Sequence, residues 1–180
     1  MKKANEKISK QGIKSKIVVL EEPSMLYKSL EQSDSLVSTK GINNIILSEK
    51  TDKPEASMTT FEKMEMVKNG LTKKDIEMLK QKASLDYDEL AYLLSVTRAT
   101  LINKKGDDKF SPVLSERIIA IADIYSYGLE VFDDNELLHD WIIQSNRALG
   151  GNTPFSLMNT QFGREEVRNI IGRIAYGVYS

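Results

Sequence analysis

The chain has no cysteine, so no disulfide can staple it and no thiol can serve as nucleophile or metal ligand. The same absence fits a reducing cytoplasm, and a cytoplasmic location is expected. It has one histidine, His139, which nearly removes histidine-based metal cages and Ser–His triads. No apolar run is long enough to cross a bilayer, so no membrane is expected as a partner. Met1-Lys2-Lys3 is basic, but no apolar stretch follows it, so the start does not read as a secretory signal. There is no strong charge of either sign. Lysine and arginine number 25 against 26 acids, a formal net charge of -1. Any affinity for nucleic acid must therefore come from a local patch. Phosphate-binding and nucleophile motifs are missing too: there is no P-loop, no G-x-S-x-G, and no G-x-G-x-x-G after a strand. No catalytic residue and no cofactor is implied, and the chain does not read as an enzyme.

What is present is a soluble globular composition, 41% hydrophobic and 28% charged, over 180 residues, enough for one ordinary domain or two small ones. The first third is weakly specified. Residues 1–16 hold Lys2, Lys3, Lys7, Lys10, Lys14 and Lys16 against Glu6. That stretch reads as a solvated arm, or as an arm along a DNA backbone. Ile17 to Leu20 suits a short strand, Ser24 a helix cap, and Ile42, Ile45, Ile46 and Leu47 a second apolar cluster, strand or short helix. Thr51 to Ser57, with Pro54, reads as a linker.

From Thr59 the punctuation is that of helices. Phe61, Met64 and Val67 start one that stops at Gly70. Thr72 with Asp75 and Asp86 with Glu89 have capping-box spacing. Ala91, then Ser95-Val96-Thr97, then Arg98 to Lys105 read as a helix-turn-helix. Small Ala91 lets two helices cross closely, Val96 fills their angle, Thr97 caps the second helix and Leu101 anchors it. Thr97, Arg98, Ala99, Ile102, Asn103, Lys104 and Lys105 are the candidate DNA-binding residues; a plain three-helix packing with an exposed second helix is the competing reading. Ser111 and Pro112 open a long helix with a double apolar face, which Gly128 is expected to close. Asp133, Asp134, Glu136 and Asp140 read as the capped start of the next helix rather than as a metal site around His139, so no metal is expected. Trp141, Ile142 and Ile143 look like core.

The last stretch, Arg147 to Ser180, is the most sharply written. Gly150-Gly151 needs a tight turn, and Thr153 with Pro154 opens a short apolar helix holding Phe155, Leu157 and Met158. Thr160, Gly163 and Arg164 suggest a turn. Val167, Ile170, Ile171 and Ile174 then form a helical stripe that runs into Gly177-Val178-Tyr179-Ser180.

The pattern ALGG-x-x-P-x-x-L-x-x-T-x-x-G-x-x-x-V-x-x-x-x-x-R-I-x-x-G-V-x-S resembles the toxin-binding C-terminal domain of Xre/ParS-type antitoxins. With the helix-turn-helix, the resemblance covers roughly Phe61 to Ser180. Its recognition helix departs from relatives in carrying less Arg and Lys. The resemblance implies an all-α fold: a poorly specified arm and linker at 1–57, a helix-turn-helix DNA-binding domain at 58–128, and a small helical toxin-binding domain at 129–180. It implies an antitoxin that covers the NAD pocket of a RES-domain toxin with its C-terminal segment and represses its own operon, as a homodimer on operator DNA. Arg147, Arg173, Tyr176, Gly177, Val178, Tyr179 and Ser180 are the toxin-binding candidates it implies, with Arg173 open to a purely structural cap-and-salt-bridge role. Two other readings stand beside it: a stand-alone transcription regulator whose C-terminal domain dimerises or senses something else, and an inhibitor without DNA binding.

Overall fold

The computed structural model describes residues 44–47 and 52–178. The expectations for the basic arm, the strand at Ile17, the helix at Ser24, and Ile42, Tyr179 and Ser180 lie outside the described residues. Eight α-helices succeed one another with no strand among the described residues: α1 (Thr60–Asn69), α2 (Lys73–Lys82), α3 (Tyr87–Leu94), α4 (Arg98–Ile102), α5 (Pro112–Phe132), α6 (Asn135–Ile143), α7 (Pro154–Leu157) and α8 (Gln161–Ala175). Short 3-10 turns occupy Glu55–Ser57 and Arg147–Leu149.

Local chemistry sets most of the starts. Thr59 and Glu62 form a reciprocal capping box at α1, and Asp86 and Glu89 form another at α3. The Lys53 ammonium, 2.7 Å from Glu62, joins Thr59 in holding the Glu62 carboxyl down at about 2. At α2 the Thr72 N–H donates to Asp75 Oδ2 at 2.8 Å. Ser111, Asp134, Thr153 and Thr160 cap α5 to α8 through side-chain oxygens.

The core is organised on α5, whose Ile118, Ile121, Ala122, Ile124 and Tyr125 are buried. Helices α1, α3, α6 and α8 and the first 3-10 turn all pack on it. This is the central, doubly apolar helix expected from its pattern, but it does not end at Gly128. It runs on to Phe132 and stops at Asp133, which takes the left-handed conformation at φ 55°. Gly128 serves packing instead: a Cβ there would lie 2.5 Å from Leu138 Cδ1, so only glycine lets α6 sit this close.

Four other expectations change. Thr160, Gly163 and Arg164 do not form a free-standing turn. Thr160 is the N-cap of α8, and Gly163 and Arg164 lie in its first turns. A Cβ on Gly163 would meet the Leu157 carbonyl oxygen at 1.9 Å, which explains the glycine. Ile143 is exposed, while Trp141 and Ile142 are core. Of the stretch at 51–57, expected as a linker, the described residues 52–57 carry the first 3-10 turn, and Glu55 is fully buried. The Glu55 carboxylate accepts the Ile46 N–H at 2.9 Å and the Leu47 N–H at 2.7 Å, while Ala56 N–H donates to Ser126 Oγ on α5 at 3.2 Å. Lys82 donates to the Ile45 carbonyl. Ile45, Ile46 and Leu47 are therefore buried as an irregular segment rather than a strand or helix. Its backbone donors are satisfied by a side chain instead of a ladder. Burial pushes the Glu55 carboxyl above its ordinary value, against the opposing pull of those backbone N–H groups.

Candidate functional site

Helices α3 and α4 pack together as a helix-turn-helix. The turn is made by Ser95, left-handed at φ 52°, with Val96 N–H returning to the Ala91 carbonyl at 3.0 Å. Leu90, Leu93, Leu94 and Leu101 are buried beneath it, and Val96 is half-buried. Thr97 caps α4 by accepting from the Thr100 N–H. Helix α4 is short, ending at Ile102, with Asn103 as its C-cap and Lys104, Lys105 and Gly106 beyond it. Arg98, Ala99, Ile102, Asn103 and Lys105 are exposed and Lys104 is half-buried over the Phe110 ring at 5.6 Å. Arg98 Nη1 donates to Asp88 Oδ2 on α3 at 2.7 Å. Lys73 of α2 donates to the Ile102 carbonyl at 2.7 Å.

The other candidate surface is α8 together with the residues just beyond its C-terminus. Gly177, at φ 64°, donates to the Ile174 carbonyl, and Val178 N–H returns to the Arg173 carbonyl at 2.9 Å. That pair of bonds is a Schellman closure, which needs a left-handed residue at Gly177. Tyr176 is 83% exposed and Val178 56%. Arg173 Nη2 donates to Glu166 at 3.1 Å, the structural pairing that was its alternative role. Arg147 lies exposed in the second 3-10 turn, next to Gly150 and Gly151, whose φ values of 66° and 82° favour glycine. The structure therefore brings Arg173, Tyr176, Gly177 and Val178 together at one end of α8, while Arg147 belongs to a different loop.

Sequence reasoning passed over Phe162, which is 83% exposed at the start of α8. Positions 162, 166, 169, 173 and 176 recur at helical spacing on the side opposite the Val167, Ile170 and Ile171 stripe. Phe162 and Tyr176 thus stand at the two ends of one outer face, about 21 Å apart at the helical rise. The signal available was negative: an aromatic residue out of register with its own apolar stripe.

The two surfaces are tied together. Tyr92 of α3 stacks on Phe155 of α7 at 5.5 Å, and its hydroxyl donates to the Ser156 carbonyl at 3.0 Å. Ser95 Oγ donates to the Asn159 carbonyl at 3.2 Å. Behind them, Asp123 of α5 receives Lys63 of α1 at 2.5 Å and Arg168 of α8 at 2.9 Å, and Arg168 also lies over the Tyr127 ring at 4.8 Å. Among the described residues no cluster of histidine, cysteine or carboxylates could hold a metal, and no helix is long and apolar enough to cross a membrane.

Residues 62–123 match the family model of the antitoxin Xre-like helix-turn-helix domain, and residues 128–177 match that of the antitoxin Xre/MbcA/ParS C-terminal toxin-binding domain. The chain belongs to the Xre antitoxin family. It is 27% identical to the antitoxin Xre of Yersinia enterocolitica over 119 residues, which cover 65% of this chain and 80% of that protein. It is 33% identical to the antitoxin Xre of Photorhabdus laumondii over 76 residues, covering 42% of this chain and about half, 51%, of that relative. The two family models meet inside α5, so in this Xre-family chain a single helix carries the end of one match and the start of the next.

Proposed function

We propose that the chain neutralises a cognate toxin with the C-terminal part of the molecule and binds its own operator through the helix-turn-helix, without catalysis or cofactor. The division runs near residue 128, with residues 1–57 preceding the DNA-binding half. The toxin is a RES-domain protein, whose NAD pocket the segment from Tyr176 onward covers. On DNA the chain acts as a homodimer on two half-sites. Thr97, Arg98, Ala99, Ile102, Asn103, Lys104 and Lys105 face the duplex, and Arg147, Arg173, Tyr176 and residues 177–180 face the toxin.

The observation that carries the toxin half is the end of α8. A Schellman closure fixes the direction in which the chain leaves the helix, yet it delivers Tyr176 and Val178 to solvent rather than to the core. Exposed aromatic and aliphatic side chains on an ordered scaffold suit a partner that buries them. Burying both would supply on the order of 2–5 kcal/mol before ordering costs. The test is co-expression with the toxin encoded beside this gene, using the full chain and a variant lacking Gly177 to Ser180. Lost rescue of growth with a nearly unchanged melting temperature is the expected outcome. Full rescue by the shortened chain defeats the plug, and a large fall in melting temperature assigns these residues to the domain's own stability. If no complex forms with the full chain in pull-down, the toxin is of another class.

A further inference from the structure

The face that α4 turns outward carries little charge of its own. Ala99, Ile102 and Asn103 are exposed along it, and Leu101 is the buried anchor. The one cation inside the helix, Arg98, is bonded back to Asp88 in the first turn of α3. The others belong to the helix ends or to neighbours: Lys73 reaches in from α2, and Lys104 lies over Phe110. What remains in the middle is a methyl, a branched aliphatic chain, a carboxamide and the Thr100 hydroxyl, which is bonded to Thr97 Oγ1 at 2.9 Å.

Base pairs present distinct edges in the major groove. Guanine offers two acceptors that suit Arg or Lys, adenine an acceptor beside a donor that suits Asn or Gln, and thymine a C5-methyl that suits apolar side chains. Ala99 and Ile102 have no side-chain polar atom to give a guanine or cytosine edge. Either base pair beneath Ile102 would lose hydrogen bonds to water, but only A·T offsets that loss with apolar contact to the thymine methyl, and this difference discriminates against G·C. Asn103 matches adenine. Arg98, the side chain suited to guanine, is held to α3, the helix that in this motif crosses the phosphate backbone. Its charge, with those of Lys104 and the exposed Lys105 beyond the C-cap, is available to phosphates, which set position and affinity but carry no sequence.

We propose that α4 reads A·T pairs, meeting thymine methyl groups with Ala99 and Ile102 and an adenine edge with Asn103. The assignment rests on the operator-binding reading above and adds the base composition of the half-site to it. Affinity then comes mostly from backbone contacts, and discrimination from methyl groups and one carboxamide.

The test is selection by the full-length protein from double-stranded DNA with a randomised centre, followed by binding measurements on the winning duplex. An A·T core is expected in each half-site. Replacing a contacted thymine by uracil, which removes only the C5-methyl, should weaken binding roughly fourfold, the value of one buried carbon. Ile102→Ala should abolish that penalty at one thymine, so that uracil and thymine bind alike there. Asn103→Ala should weaken binding on the order of ten- to a hundredfold at one adenine and relax the choice of base at that position alone. Asn103 is exposed and Ile102 is 37% exposed, so the melting temperature of Asn103→Ala should not move and that of Ile102→Ala should fall only slightly. A selected G·C core, or an A·T core whose thymines all accept uracil without loss, overturns the proposal and leaves DNA binding standing. Failure of any sequence to enrich removes the operator reading, and the base assignment with it.

Discussion

Glu55 shows how a single side chain can replace a piece of secondary structure. Residues 45–47 have no ladder partner, and the Glu55 carboxylate takes the N–H groups of Ile46 and Leu47 instead. Glu55→Gln should lower stability by about 1–3 kcal/mol, because the amide turns a donor towards backbone donors in a buried place. The pH dependence has a definite sign. Burial raises the folded-state value above the ordinary 4.5, so just above that pH the folded protein keeps a proton that the unfolded chain has released. Stability is therefore lost as pH rises through the folded value. The margin between wild type and Glu55→Gln in thermal melts should narrow as pH climbs from about 4.5, since the glutamine cannot ionise. A margin that widens over that range contradicts this account. Two glycines make a second comparison. At Gly128 the obstacle to a Cβ is the tip of Leu138, whereas at Gly163 it is the carbonyl of Leu157. Gly128→Ala should cost about 1–3 kcal/mol, the range for overpacking. Gly163→Ala should cost more in the same denaturation assay, because a backbone carbonyl cannot rotate away.

At the scale of the element, α8 has two faces with different tasks. Val167, Ile170 and Ile171 bind it to the body, and Phe162, Arg173 and Tyr176 line the other side. Phe162→Ala with Tyr176→Ala should leave the melting temperature within a few degrees of wild type and reduce rescue from the toxin sharply. A loss of rescue by Tyr176→Ala alone, with Phe162→Ala silent, would confine the contact to the C-terminal end of the helix. The existence of α8, and of nearly every other helix from Thr60 onward, was legible in the sequence because caps and 3.6-residue stripes are local signals. Thr72 with Asp75, Asp86 with Glu89, and Ser111 with Pro112 each declare a start within four residues. What was not legible depends on distant atoms. Gly128 looks like a helix end because glycine commonly ends helices, and only the arrival of Leu138 shows why α5 passes through it. Thr160 and Gly163 look like a loop for the same reason. Glu55, in a stretch with the composition of a linker, gives no local hint of the two N–H groups it will meet eight and nine residues away. Of the candidate site, the cap at Thr97 and the outward face of α4 could be read from the pattern, but the Arg98–Asp88 pair could not.

Across the whole molecule, Asp123 is where three helices meet. Its side chain is mostly buried, Lys63 reaches it from α1 and Arg168 from α8, and the two cations come from the two different family matches. Asp123→Ala would leave both cations facing one another across α5. The cost should be about 2–3 kcal/mol, below the roughly 3–5 kcal/mol of a fully buried pair, because Arg168 is half in solvent. In calorimetry that is a fall in melting temperature of roughly 4–10 °C for a body of this size. An unchanged melting temperature would mean that apolar packing on α5 alone holds the halves. The notch at Gly128 has a further consequence. One turn away on either side of it along α5 stand Ile124 and Phe132, both bulky, so a one-turn shift of α6 would set Leu138 against a large side chain instead of a glycine. That difference favours one setting of α6 on α5, like a dial with one detent. A partner for the far end would then spend less of its binding energy on choosing among alternatives.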